Sequence, residues 1–340
     1  MFNNISKVMF IIIILEETLL AISANSWFGA WMGLEINLMS FIPLINNSKN
    51  IMTNEASLKY FFTQALASAM ILFGVIMTMF FMGMSNYLLE NSFMQIFINS
   101  ALLMKMGAAP FHYWFPGVME GISWMNCMIL MTWQKIAPLM LISYYMNNMF
   151  LMVTSLFCVI IGSFGGINQT SLRKIMTYSS INHIGWMLAS ILISNNLFLL
   201  YFIMYSLLSS TMVIIFMNFN IFYLNQTYSS LNINPVMKFL IFCNLLSLGG
   251  LPPFLGFFPK WMTIQMLIEN NLIFLVFIMV MMTLITLFFY IRVAYSALML
   301  MYSELKWSSF YYNKNFFISM FFSYISIFGL ILSSIMFLIM

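Results

Sequence analysis

Aspartate is absent from this sequence, and the other residues that build most reactive centres are nearly so: two histidines, three cysteines and eight acidic residues in 340. Cys127, Cys158 and Cys243 stand alone in apolar runs, without the close pairing that zinc or iron–sulfur ligation requires. His112 and His183 are too few and too far apart to suggest bound haem. There is no Walker sequence and no spaced-glycine dinucleotide fingerprint. The chain is therefore expected to carry no redox or nucleotide chemistry of its own. Charge is scarce as well, at 6% of residues against 63% hydrophobic, which rules out a soluble domain. An Arg-rich amphipathic leader and a short cleavable signal are also missing from the start of the sequence, so import is not expected.

What is present is a succession of apolar runs, each long enough for the roughly 20 residues a bilayer crossing needs. About eleven can be drawn, near residues 3–23, 26–45, 58–82, 92–118, 123–145, 149–168, 174–194, 197–222, 236–266, 272–300 and 317–340. None alternates polar and apolar residues, so helices rather than a barrel are expected. The connections are too short for an extramembrane domain. The fold class is all-α polytopic membrane protein, one transmembrane domain over residues 1–340.

The twelve basic residues divide in two. Lys7, Lys49, Lys59, Arg173, Lys174, Lys238, Lys306 and Lys314 fall in connections on one side when sides alternate, while the other side receives Glu90 and Glu269 and no Lys or Arg. That asymmetry marks the side of synthesis, with the N-terminus on it. Lys105, Lys135, Lys260 and Arg292 instead lie within apolar runs. Each costs roughly 2.5 to 3.5 kcal/mol at a helix centre unless it faces water or a partner, so an intramembrane ionisable group is a functional candidate. Arg292 is the weakest of the four, because it sits late in its run and can snorkel.

Helix breaks show a second regularity. Residues 107–116 read GAAPFHYWFP and residues 250–259 read GLPPFLGFFP, so that Gly, Pro, Phe, Phe and Pro recur at a fixed offset of 143. Proline frees a backbone carbonyl, which survives in a membrane only inside protein or beside a wet cavity. Paired interruptions in two halves of a chain point to a transport site. The breaks fall in the fourth and ninth runs. This implies two inverted five-helix repeats, about 1–146 and 147–303, and a final helix at about 315–340. Glu35 and His183, Lys105 and Lys260, and Lys135 and Arg292 occupy matching helices at separations of 148, 155 and 157 residues, a symmetry of helices and not of register.

Other features have plainer readings. Trp27, Trp31, Trp114 and Trp124 near run ends read as interfacial anchors, and 37 Met with 37 Phe as compositional bias toward AT-rich coding. Glu16 and Glu17 interrupt the first run at its middle, where an acid must be neutral, paired or exposed to a cavity. A functional role and a contact with a partner subunit remain equally open for them, and neither is counted as a site residue.

Several segments together carry a resemblance: Asn25–Trp27, Gly29–Asn37, Lys105–Pro116, Trp133–Pro138, Asn168–Lys174, Tyr178–His183 and Leu248–Lys260. In order and nearly end to end, they resemble the subunit 2 family of animal mitochondrial NADH:ubiquinone oxidoreductase, respiratory complex I, and the wider class of cation/proton antiporter subunits. The resemblance implies an antiporter-like membrane-arm subunit, shortened by three helices at its N-terminus and resident in the mitochondrial inner membrane. It implies partners among the other membrane-arm subunits and membrane lipids, and no nucleic acid. FMN, iron–sulfur clusters and ubiquinone are implied to belong to other subunits, with no cofactor bound here.

By motif, Glu35 is similar to the family's acid that pairs with the lysine before the first break, here Lys105; Lys135 is similar to the central lysine and Lys260 to the ionisable residue of the second broken helix. His112 and His183 are implied to line the hydrated path. Burial disfavours an ammonium and a nearby carboxylate favours it, so a changing Glu35–Lys105 separation would switch proton affinity. Protons are then expected to pass among Lys105, Lys135 and Lys260. Glu16 and Glu17 depart from the family pattern. Two other readings are a free-standing sodium/proton antiporter and a purely structural membrane subunit whose buried charges hold its neighbours together.

Overall fold

The computed structural model describes residues 5–47, 50–82, 87–230, 235–299 and 316–339. Lys49, Lys306 and Lys314, and the side chain of Glu90, lie outside what it describes. Helices account for nearly all of it; the one extended pairing among the described residues is an isolated bridge between Ser171 and Tyr223. Six helices among the described residues are long and apolar enough to cross a membrane, with shorter apolar helices at Phe93–Met106, Lys238–Gly249 and Ser319–Leu330. The chain is a multi-pass membrane protein.

Packing divides the chain into two compact units, Met1–Ser155 and Leu156–Met340. The first contains α1 (Ile5–Ser23), α2 (Trp27–Ile45), α3 (Ile51–Met82), α4 (Tyr87–Met106), α5 (Trp114–Gly121), α6 (Trp124–Met131) and α7 (Trp133–Tyr144). The boundary falls inside α8 (Asn148–Gly166). The second continues with α9 (Leu172–Ile191), α10 (Asn195–Phe219), α11 (Leu224–Ser230), α12 (Pro235–Gly249), α13 (Phe257–Glu269), α14 (Ile273–Met299) and α15 (Phe316–Ile339).

Lipid is as apolar as leucine, so helices in a bilayer gain most by bringing their backbones close over small residues. In the first unit α1 meets α2 this way: a Cβ on Gly33 would stand 3.0 Å from Ala21. In the second, α8 lies on α9 through Gly162 and Gly165, whose added Cβ atoms would come 2.7 Å from the Asn182 nitrogen and 2.2 Å from the Tyr178 ring.

Each unit has its own broken helix, at the paired motifs. Gly107 takes φ 72° and Gly250 takes φ 82°, a region open to glycine at little cost. The hydrogen bonds match as well. Gly107 N donates to Met104 O and Ala108 N to Leu103 O; Gly250 N donates to Ser247 O and Leu251 N to Leu246 O. Both are Schellman ends, in which a left-handed glycine lets the chain turn off the helix while satisfying its last carbonyls. A prolyl segment follows, and the helix restarts as α5 or α13.

Two details differ from expectation. The run at 123–145 is two segments, α6 and α7, interrupted at Thr132, whose hydroxyl donates back to Met128 O at 2.7 Å. Such back-bonding bends helices, and Pro138 within α7 removes a further backbone donor. Lys7, Lys59, Arg173, Lys174 and Lys238 lie within α1, α3, α9 and α12 rather than in connections, because main-chain hydrogen bonding carries a helix past the end of its apolar stretch. Arg292 is exposed and its guanidinium donates to Ile167 O, in keeping with a snorkelling residue.

Candidate functional site

In the first unit, α2, α3, α4, α5, α6 and α7 line a small pocket whose free interior has room for on the order of one water. Its polar lining is Asn37, Tyr60, Gln64, Lys105, Gln134 and Lys135; Trp114 and Phe115, from the restart after the break, supply apolar wall. Two of the three lysines predicted from sequence therefore share one pocket, walled by Trp114 and Phe115 from the restart after α4 ends at Met106.

Both amines are withdrawn from the surface, Lys105 at 7% and Lys135 at 1% exposure. Lys105 Nζ has no hydrogen-bond partner among the described residues. The charge acting on it is Glu35, one Oε of which is likewise buried and without a hydrogen bond. Lys135 Nζ stands 5.4 Å above the Phe115 ring, within cation–π range. Amides complete the pocket: Gln134 Nε2 donates to Asn37 Oδ1 at 2.9 Å, and Gln64 Nε2 donates to Lys105 O at 3.1 Å. Trp114 Nε1 donates to Met104 O at 3.1 Å, tying the restart to the end of α4.

His112 lies in the break but does not line the pocket. It is 5% exposed, its Nδ1 is 3.2 Å from Pro110 O, and its ring packs on Tyr113 with centroids 4.4 Å apart.

The second unit holds two predicted residues in separate settings. Lys260, 6% exposed, starts on α13 and reaches back across the break, where Nζ donates to Gly249 O at 2.8 Å. That carbonyl is one of those a helix end leaves without a partner. His183 on α9 is 5% exposed, with Nδ1 3.0 Å from the Tyr201 hydroxyl and its ring 5.1 Å from that of Tyr205. Buried amides recur in this unit: Asn182 Nδ2 donates to Thr286 at 3.4 Å, and Asn244 accepts from Ser326.

Asn37, Gln64, Gln134 and Tyr201 escaped the sequence reading, which followed charge. The available signal was an amide or hydroxyl inside an apolar run, where a polar group must find a partner. Among the described residues no cluster of three or more His, Cys, Asp or Glu could hold a metal. Chemically, the pocket offers two amines surrounded by amide and phenol groups, with room for water.

Comparison with known proteins follows the same lines. The family of NADH:quinone oxidoreductase/Mrp antiporter transmembrane proteins matches residues 24–286. The chain is 56% identical to NADH-ubiquinone oxidoreductase chain 2 of Anopheles gambiae, over 99% of this chain and 100% of that one. It is 46% identical to the protein of the same name from Locusta migratoria, over 90% of each. The fold resembles a chain of respiratory complex I from Thermus thermophilus with bound aureothin, with TM-score 0.82 at 18% identity, covering 95% of this chain and 76% of that one. It also resembles a chain of the Mrp complex from Dietzia sp. DQ12-45-1b, with TM-score 0.75 at 16% identity, covering 85% and 59%.

Proposed function

We propose, because this chain belongs to the family of NADH:quinone oxidoreductase/Mrp antiporter transmembrane proteins, that it is a core membrane-arm subunit of NADH:ubiquinone oxidoreductase and contributes to proton translocation coupled to electron transfer from NADH to ubiquinone. Near-complete alignment with relatives named as chain 2 of that oxidoreductase supports the assignment. The chain carries no redox centre; FMN, iron–sulfur clusters and the ubiquinone site lie in other subunits. It resides in the mitochondrial inner membrane among other membrane-arm subunits and lipid, with its N-terminus on the matrix side, as the one-sided distribution of connecting basic residues supports. It binds no nucleic acid.

The observation that carries the reading is the shared burial of Lys105 and Lys135 in a pocket with room for water beside a helix break, with the charge of Glu35 acting on Lys105. A buried amine is costly as a cation, so each lysine favours its charged form only when a carboxylate or water is close. Movement of α2 against α4 changes the Glu35–Lys105 distance and with it the affinity of Lys105 for a proton. A proton released from one ammonium passes to a water in the pocket and from it to the other amine. Each unit change in pKa corresponds to about 1.4 kcal/mol, so small rearrangements suffice. Lys260 gives the second unit a protonatable group of the same kind, and the neighbourhoods of His112 and His183 supply further polar positions along the path.

A structural reading retains weight at one position. Lys260 satisfies Gly249 O, which is what a helix-capping lysine does.

The test is a mild-detergent native gel of the source membranes, stained for NADH dehydrogenase activity, with this chain located by mass spectrometry. The proposal requires the chain in a very large NADH-oxidising band. Recovery alone or as a small oligomer contradicts it and favours a free-standing antiporter.

A further inference from the structure

The carboxyl of Glu17 is a buried ionisable group that the lysine pocket does not include. It sits at the middle of α1, is 3% exposed, and keeps Oε1 buried without a hydrogen bond. Its neighbour Glu16 is exposed. The close approach of Gly33 to Ala21 brings α1 onto α2, and one consequence is that Ser40 Oγ lies 3.2 Å from Glu17 Oε2.

Ser40 has a second contact: the same Oγ is 2.9 Å from Asn37 O. A serine hydroxyl carries one hydrogen and can donate to only one of the two at a time. When Glu17 is ionised, the hydrogen points at the carboxylate. When Glu17 is protonated, its own O–H donates to Ser40 Oγ, and the serine hydrogen turns to Asn37 O. Both arrangements keep a hydrogen bond between Glu17 Oε2 and Ser40 Oγ, and they differ by one proton on Glu17 and one rotation of Ser40. Asn37 in turn accepts from Gln134 through its side chain, and both amides line the pocket of Lys105 and Lys135.

We propose that Glu17 is a further proton-binding residue of the first unit, linked through the Ser40 hydroxyl and Asn37 to the lysine pocket. The inference rests on the proton-translocating reading of that pocket. The surroundings fit a carboxyl that exchanges a proton rather than one held in an ion pair. The charge acting on Glu17 is that of Glu16 on its own helix. From α2 it meets Ser40, while the acid of that helix, Glu35, acts on Lys105. The lysine of α7, which also packs on α1, is Lys135 in the pocket itself. Uptake and release are balanced: a hydronium ion gives its proton to Glu17 Oε2 and leaves as water while the Ser40 hydrogen turns from Oε2 to Asn37 O, and on release the Glu17 O–H bond breaks as a water takes the proton. The reverse rotation resets the pair.

The test is pH-difference infrared spectroscopy of the whole purified oxidoreductase in liposomes, reading the C=O stretch of protonated carboxyls. The proposal expects a band that changes with pH, is lost in Glu17→Gln, persists in Glu16→Gln, and shifts in frequency in Ser40→Ala, where the carboxyl remains but its hydroxyl partner is gone. A titrating band unchanged by Glu17→Gln, or lost instead in Glu16→Gln, overturns it. If Glu17→Gln fails to assemble, an unshifted band in Ser40→Ala overturns it equally. Proton pumping measured on the same samples separates the two levels: impaired pumping in Lys135→Met with no Glu17 band leaves the translocation reading standing and removes this one, whereas a Glu17 band with undiminished pumping in Lys135→Met removes the reading on which it rests.

Discussion

Lys260 and Gly249 are joined across a helix break: the lysine begins on α13, and its Nζ donates at 2.8 Å to the last carbonyl of α12. The bond depends on Gly250 between them. Its φ of 82° turns the chain back, and its missing side chain leaves space for the lysine stem.

Replacing Gly250 with alanine is therefore expected to be damaging twice over. The backbone strain of a left-handed alanine is about 1–2 kcal/mol, and the new Cβ would stand 2.9 Å from Lys260 Cδ and 3.1 Å from Nζ. Gly249→Ala, with nearest contacts of 3.3 Å to Tyr290 and 3.7 Å to Leu287, is the mild control. Quantifying assembled oxidoreductase on native gels checks the contrast; equal yields would refute it.

Lys260 can be a cap, a proton carrier or both, and two substitutions separate these. Glutamine keeps an N–H donor but cannot titrate; methionine loses both. Lys260→Met should lower assembly through an unpaired carbonyl, at about 1–3 kcal/mol for a buried acceptor. Lys260→Gln should assemble near normally yet pump fewer protons per NADH. Normal pumping in Lys260→Gln would assign the residue to capping alone.

Glu35 and Lys105 should behave as one unit. The effects of Glu35→Gln and Lys105→Met on the proton-to-NADH ratio are expected to be far from additive, with the double variant close to the worse single one, as coupled residues require. Additive losses would place the two residues in separate steps.

Gln134→Leu removes the donor to Asn37 Oδ1 and leaves a buried acceptor unpaired, a loss of about 1–3 kcal/mol. Thermal inactivation of NADH oxidation in the purified oxidoreductase should move to lower temperature. Removing both partners, in Asn37→Leu with Gln134→Leu, should recover part of the loss.

How far these positions could be seen in advance follows from their physics. Lys105, Lys135 and Lys260 stood out because a cation in an apolar run needs a reason to be there, and Gly107 and Gly250 because a break repeated at a fixed offset is visible as text. The pairing of Asn37 with Gln134 was not visible: amides impose no period on an apolar run, and 97 residues separate the partners. The interruption at Thr132 was equally hidden, since it comes from a threonine turning its hydroxyl onto its own helix without glycine or proline at that point. His112 has a conspicuous place in the break motif, yet the chain turns it onto Pro110 O and away from the lysine pocket. Glu17 was recognisable as costly, but its partner Ser40 emerges only when α1 and α2 are packed.

Lys135, the most deeply buried of the three lysines, offers the most direct measurement. Lys135→Met keeps the apolar stem and removes the amine. Reconstituted into liposomes, the purified variant oxidoreductase should still oxidise NADH, while the protons moved per NADH fall several-fold against the unaltered protein. An undiminished ratio would contradict the account.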